Sequence, residues 1–276
     1  MSLFIRLWIV TFCALLPLFS QANERIISIG GDVTEIVYAL HAESQLIGRD
    51  STSTYPQAVN ALPDIGYMRQ LNAEGILSLK PTLILASDQS LPALALEQVR
   101  NSGIKVVSIP GQPSLETVAK KISTVAQALG KEQAGNLLIA HYERQLAAIP
   151  KNRLSTKVLF VMNYGGGAPM AAGQNTAADA IIGFAGGTNA MQGFNKYRPL
   201  SQEGIIAAAP ELLLLTTAGF TAMGGEEKIW QLPGIAQTPA GKNRRFIVVD
   251  DLALLGFSLK TPEVISTLRK AMEDTH

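Results

Sequence analysis

The chain of 276 residues has one cysteine, Cys13, and three histidines, His41, His141 and His276. A single cysteine leaves no internal disulfide to staple the fold. No histidine stands with another His, Asp or Glu at recognised metal-ligand spacing, which argues against a dedicated zinc site. His41 reads as a turn residue after a helix, and His141, beside Tyr142 and Glu143, as part of a solvated helix face. Charged residues are scarce, at 16%, and balanced, with 23 Lys+Arg against 22 Asp+Glu. That balance gives no electrostatic case for nucleic acid or a membrane surface. There is no Gly-Lys-Ser/Thr phosphate loop, dinucleotide fingerprint or nucleophile elbow. The longest apolar run, residues 7–19, is too short to span a bilayer as a permanent helix. Against these absences stands a hydrophobic content of 47%, ample for a large buried core.

The apolar run follows Arg6 and ends in Ser20-Gln21-Ala22. A basic start, a short apolar stretch and small residues before the cut make residues 1–22 a secretory signal peptide, cleaved after Ala22. Cys13 lies mid-run behind the bulky Phe12, which does not suit a lipid-attachment cysteine. Cleavage removes both Cys13 and Arg6 and leaves 22 basic and 22 acidic residues. The expected product is a soluble, exported, periplasmic chain that relies on its core alone.

The chain also repeats itself. Residues 69–85 and 198–214 share eight of 17 positions without a gap: Arg69/Arg198, Leu71/Leu200, Glu74/Glu203, Gly75/Gly204, Ile76/Ile205, Pro81/Pro210, Leu83/Leu212 and Leu85/Leu214. The offset of 129 is far too long for a solenoid. It fits two similar lobes with a ligand site between them.

Apolar runs rich in Ile, Val and Leu predict strands over 25–29, 46–48, 83–86, 105–109, 157–162, 212–216 and 246–249. They are continuous rather than alternating, as for parallel strands covered on both faces. Helices are predicted over 33–41, 73–79, 92–102, 114–129, 131–149, 176–185, 202–208 and 262–273. Asp32 with Glu35, and Thr176 with Asp179, have capping-box spacing. In each repeat copy Glu-Gly-Ile opens a short helix that Pro81 or Pro210 ends before a strand. Residues 114–149 carry no strand signal and one glycine-led break at Leu129-Gly130-Lys131. Leu137, Leu138, Tyr142, Leu146 and Ile149 recur there at helical spacing. The expected architecture is α/β: two Rossmann-like lobes with parallel sheets, 23–113 and 151–276, joined by a long helical linker that limits hinge motion, with a ligand cleft between them.

Gly66-Tyr67-Met68-Arg69 is the first chemical candidate. A phenolate is a hard oxygen ligand for ferric iron, haem iron included. A free phenol has a pKa near 10 and needs help to ionise. In an extended segment Arg69 would share a side with Tyr67 and could stabilise the phenolate. Asn163-Tyr164-Gly165-Gly166-Gly167 follows a strand, and its glycines permit close approach to a flat ligand.

Taken together, the leader, the lobes, the helical connection and the repeated Glu-Gly-Ile-x-x-x-x-Pro element resemble a substrate-binding protein of the helical-backbone class. That class serves ABC importers of haem, siderophores and cobalamin. Gly66-Tyr67-Met68-Arg69, Gly165-Gly166-Gly167-Ala168-Pro169-Met170 and the run from Phe184 to Ala190 resemble the periplasmic haem-binding proteins of Gram-negative haem uptake. The resemblance implies that Tyr67 is the axial iron ligand, that Arg69 hydrogen-bonds its phenolate oxygen, and that Arg198 approaches the iron or a propionate. Lys196 and Tyr197 are lesser candidates for the same rim, Met68 and Met170 for contacts with the porphyrin face, and Tyr164 for lining the cleft. Some relatives carry a histidine in the glycine loop that ligates a second, stacked haem; Asn163-Tyr164 stands here instead. Glu74 and Glu203 would dock on arginines of the permease. The cargo implied is haem b, transported rather than used as a catalytic cofactor, by a monomer that is not an enzyme. A ferric siderophore or cobalamin is the alternative cargo. An exported two-lobed enzyme using Tyr164 and the 165–167 loop is the alternative class, but it lacks a base that can be placed near a nucleophile.

Overall fold

The computed structural model describes residues 24–163 and 167–275. The stretch expected to be a signal peptide, and Tyr164, Gly165 and Gly166 of the glycine loop, lie outside them. The first half holds a four-stranded sheet of β1 (Ile26–Ile29), β2 (Leu46–Arg49), β3 (Leu83–Ser87) and β4 (Lys105–Ile109), ordered β2-β1-β3-β4 and parallel throughout. Helices α1 (Gly31–Ala39), α2 (Ala73–Ser78) and α3 (Ala93–Asn101) connect these strands.

Two helices follow, α4 (Leu115–Ala128) and α5 (Glu132–Ala147). The chain reverses at Gly130, where φ is +65°. A Cβ on Gly135 would come within 2.5 Å of the Ala126 Cβ, so glycine is what allows the two helices to close on each other. This stretch is therefore a hairpin of two helices, broken where Leu129-Gly130-Lys131 predicts. Leu138, Tyr142, Leu146 and Ile149 face the core, whereas Leu137 is 68% exposed and does not share their stripe.

The second half holds β5 (Lys157–Met162), β6 (Met170–Ala172), α6 (Ala177–Phe184), β7 (Thr188–Asn189), β8 (Tyr197–Pro199), α7 (Gln202–Ala208), β9 (Leu212–Thr216), α8 (Thr217–Met223), α9 (Glu226–Trp230), α10 (Pro239–Lys242), β10 (Phe246–Val249) and α11 (Thr261–Glu273). Its sheet runs β10-β9-β5-β6-β8, with β7 also on β5. It is mixed, because β6 runs antiparallel to both β5 and β8. The expectation of a wholly parallel second sheet is corrected here: three-residue strands containing or bordering proline give no periodicity to read.

The repeat is structural as well as sequential. Asn72 and Ser201, 129 apart, each cap a helix, accepting from the Glu74 N–H at 2.8 Å and the Gly204 N–H at 3.1 Å. Lys80 and Ala209, also 129 apart, both take left-handed backbone, with φ of +50° and +46°, just before the prolines. Leu83, Leu85, Leu212 and Leu214 enter one continuous core lying between the two sheets. Ile76 and Ile84 cover the outer face of the first sheet, and Ile205 and Leu213 that of the second. A shared inner core, containing α1, α4, α5, α6 and α11 residues, binds the two halves together.

Candidate functional site

In parallel α/β sheets ligands bind beyond the carboxyl ends of the strands. The segment carrying Tyr67 is mounted there by its backbone. Leaving β2, the chain is held against residues 64–66 by Ile65 N–H to Arg49 O (2.9 Å), Ser51 N–H to Gly66 O (2.9 Å) and the Arg49–Asp64 ion pair (3.1 Å). Gly66 turns with φ of +94°. The Gln70 N–H then closes on Tyr67 O at 2.7 Å, while Leu91 N–H donates to Met68 O and Leu71 N–H to Leu91 O.

Tyr67 is 44% exposed on this fixed turn, and its hydroxyl has no hydrogen-bond partner among the described residues. Arg69 is exposed and likewise unpaired among them. No Tyr67–Arg69 hydrogen bond is present. The inference of a shared side assumed an extended segment, and the 67–70 turn removes that premise. Met68 is divided between core and surface: it packs beside the outer-face cluster, with Sδ 3.9 Å from Thr52 Oγ1. Leu91, half exposed beside this turn, and Leu94, in the first turn of α3, add an apolar surface that sequence reasoning missed. A lone leucine between a strand and a helix carries no signal that separates surface from core.

The matching place in the second half is built differently. Lys196 stands where Tyr67 does in the first, exposed and left-handed at φ +64°. Its backbone is fastened by Lys196 N–H to Gln174 O and Gly173 N–H to Lys196 O. On β8, Tyr197 is partly buried against the inner core, and burial raises its hydroxyl pKa, opposing a phenolate. Arg198 is exposed, its guanidinium carbon 4.9 Å from the centre of the Phe194 ring. No hydrogen bond or ion pair among the described residues joins Tyr67–Arg69 to Tyr197–Arg198. Met170 begins β6 and is partly buried. Glu74 and Glu203 are exposed at equivalent second positions of α2 and α7, unpaired among the described residues, where a carboxylate also suits the helix dipole.

A second group, between the sheets, was also missed. Asp32 and Glu35 do not form a capping box. The N-cap of α1 is Gly30, and the helix-start amides of Gly30 and Gly31 are taken by Asp50 Oδ1 (2.9 Å) and Thr52 Oγ1 (3.1 Å). The two acids are thereby free for contacts distant in sequence. Asp32 pairs with Lys121 of α4, a fully buried lysine that also donates to Gly256 O (2.7 Å) and Phe257 O (3.3 Å). Glu35 Oε2 accepts from Leu259 N–H at 2.9 Å. Burial raises the Glu35 pKa above 4.5, with hydrogen bonds from Leu259 and Ser258 and the charge of Lys260 opposing the shift. A Cβ on Gly31 would sit 2.7 Å from Thr52 O of its own half and 3.1 Å from a Leu252 methyl of the other, so glycine is what lets the Leu252 side chain pack against the start of α1. Lys260 Nζ lies 3.3 Å from the centre of the Tyr55 ring. By contrast, Thr176 does cap α6, accepting from Asp179 N–H at 3.1 Å, and the Asp179 carboxylate reaches back to Asn175 N–H.

A half-open cavity of about 480 Å³ lies between the start of α4, the end of α5, α6 and α11; it contains none of the candidate residues. Among the described residues no group of three or more His, Cys, Asp or Glu is placed to hold a metal ion.

Comparison with known proteins gives a consistent result. The family model described as periplasmic binding protein matches residues 26–253. The chain is similar to the solved periplasmic haem-binding protein RhuT of Roseiflexus sp. RS-1, with 41% identity, coverage of 92% of this chain and 99% of that one, and a TM-score of 0.87. It is similar to the periplasmic haem-binding protein BhuT in complex with two haems, with 41% identity, 91% and 98% coverage and a TM-score of 0.84. Among curated proteins it is similar to the vitamin B12-binding protein of Vibrio vulnificus (strain YJ016), 30% identical over 247 residues, covering 86% of this chain and 87% of that protein.

Proposed function

Since the chain belongs to the periplasmic binding protein family, we propose that it binds haem between its two lobes and delivers it to the permease of an ABC importer. The role is binding and transport rather than catalysis. The observation that carries the reading is Tyr67, an exposed phenol with no hydrogen-bond partner among the described residues, on a turn fastened from both sides at the carboxyl end of a parallel sheet. The likeness to haem-binding proteins over more than nine-tenths of the chain supports haem as the cargo. Haem is a large apolar disc with one metal and two carboxylates. Burial of the disc supplies most of the affinity, the Tyr67 phenolate anchors ferric iron, and basic side chains receive the propionates. Arg69 reaches the phenolate by a side-chain rotation about the 67–70 turn, and Arg198 leaves the Phe194 ring for a propionate or the iron side.

The cargo is haem b, the carrier works as a monomer in the periplasm after loss of residues 1–22, and residues 23–113 and 151–276 are its lobes, with 114–150 the connection. Tyr197 contributes to the rim of the cleft as a neutral phenol. Glu74 and Glu203 are its two contacts with the permease. Purified protein titrated with hemin should shift and sharpen the Soret band, and Tyr67→Ala should weaken and displace it. A hemin spectrum unchanged by the wild-type protein would defeat the reading.

The second reading is cobalamin, favoured by the 30% identity to vitamin B12-binding proteins. Competition between hemin and cyanocobalamin separates the two: displacement of hemin by equimolar cyanocobalamin would favour the second. The hemin endpoint also fixes stoichiometry, for which BhuT, with two haems, is the comparison.

A further inference from the structure

We propose that Lys260 is a carboxylate clamp of the cleft and makes the protein select an acidic ligand over an uncharged one. The inference rests on the haem reading for the identity of the probe. Lys260 stands at the start of α11, in the stretch that leaves the carboxyl end of β10. Tyr55 follows the carboxyl end of β2 in the opposite lobe. Both lie in connections that follow the carboxyl ends of strands, the side on which an α/β fold receives its ligand.

The ammonium lies 3.3 Å from the centre of the Tyr55 ring, and among the described residues it has no carboxylate within ion-pair distance. Glu35, on which the Lys260 charge acts, is already engaged by Leu259 N–H and Ser258. Lys260 is only partly exposed, and Tyr55 is 43% exposed. A lysine resting on an aromatic face is a weaker arrangement than a lysine hydrogen-bonded to a carboxylate. An acidic ligand edge between the lobes can therefore take the ammonium from the ring without breaking an ion pair. The four-carbon stem lets the head move while the residue stays in place.

The competing role is a strap: Lys260 could hold the lobes at a fixed angle through Tyr55 and touch no ligand. Hemin and hemin dimethyl ester, which has the same ring and iron but no carboxylates, distinguish the roles. The full chain and its Lys260→Ala and Lys260→Arg variants are titrated with both, with melting curves to verify folding. The clamp predicts that Lys260→Ala weakens hemin binding roughly tenfold, leaves the ester unchanged and keeps the Soret position, and that Lys260→Arg retains most of the affinity. Equal weakening for both probes would show a strap and overturn the proposal, as would an unchanged hemin titration. A wild-type protein that binds neither probe would overturn the haem reading itself.

Discussion

The two copies of the repeat, residues 69–85 and 198–214, build the same corner and present different chemistry beside it. Both have a polar N-cap, a glutamate at the second helix position, a buried isoleucine, a left-handed residue and a proline before a buried strand. Immediately upstream they part. The first copy displays Tyr67 on a closed turn; the second has Lys196 in left-handed backbone, then a short antiparallel strand that draws Tyr197 toward the core. Residues used alike by two lobes suit a partner with two equivalent contacts. Residues used by one lobe suit a ligand with one iron.

The largest effect expected from testing that comparison lies where the two lobes join. Lys121→Met leaves Asp32 buried without its cation, which should cost about 3–5 kcal/mol in denaturant unfolding, and adding Asp32→Asn should recover part of the loss. Next is the symmetric pair. Glu74→Lys with Glu203→Lys should abolish haem uptake by cells while leaving the hemin titration of the purified protein unchanged, and each single variant should give a similar partial defect. A complete loss from one single variant and none from the other would break the two-fold docking account.

The backbone symmetry predicts smaller effects. Glycine accepts left-handed φ without the Cβ penalty, so Lys80→Gly and Ala209→Gly should each raise stability by up to about 1 kcal/mol. If only one does, the equivalence of the corners is looser than their φ values indicate. The smallest effect concerns Glu35, whose folded pKa is raised by burial. A raised carboxyl pKa means the folded chain holds its proton more tightly than the unfolded chain, so this group's contribution is fully present at low pH and is lost as pH rises through the folded value. Glu35→Gln keeps an acceptor for Leu259 N–H without the charge. Its melting temperature should compare most favourably with wild type near neutral pH, and the advantage should shrink on acidification.

Much of this architecture is legible in the sequence, and the limits have physical causes. Continuous Ile/Leu/Val runs locate the long parallel strands, and the glycine-led break at 129–131 locates the reversal between α4 and α5. Strands β6 and β8 escape because three residues cannot express a period. Asp32-x-x-Glu35 has the spacing of a cap, but the loop after β2 already satisfies the helix start, so both acids serve contacts with α4 and the 256–260 stretch, distant in sequence. Tyr67 stands out in the sequence as a candidate; its relation to Arg69 does not, because one hydrogen bond from Gln70 turns an apparently extended tripeptide.

The central claim is that the iron belongs to the first copy alone. The direct measurement is a hemin titration, read for Soret position and endpoint, of wild type, Tyr67→Ala and Tyr67→Ala combined with Lys196→Tyr. The account predicts a tyrosinate-type spectrum in wild type, its loss with at least roughly hundredfold weaker binding in Tyr67→Ala, and no rescue by a tyrosine placed at 196, where the backbone is left-handed. An unaltered spectrum in Tyr67→Ala, or full rescue from position 196, would contradict it.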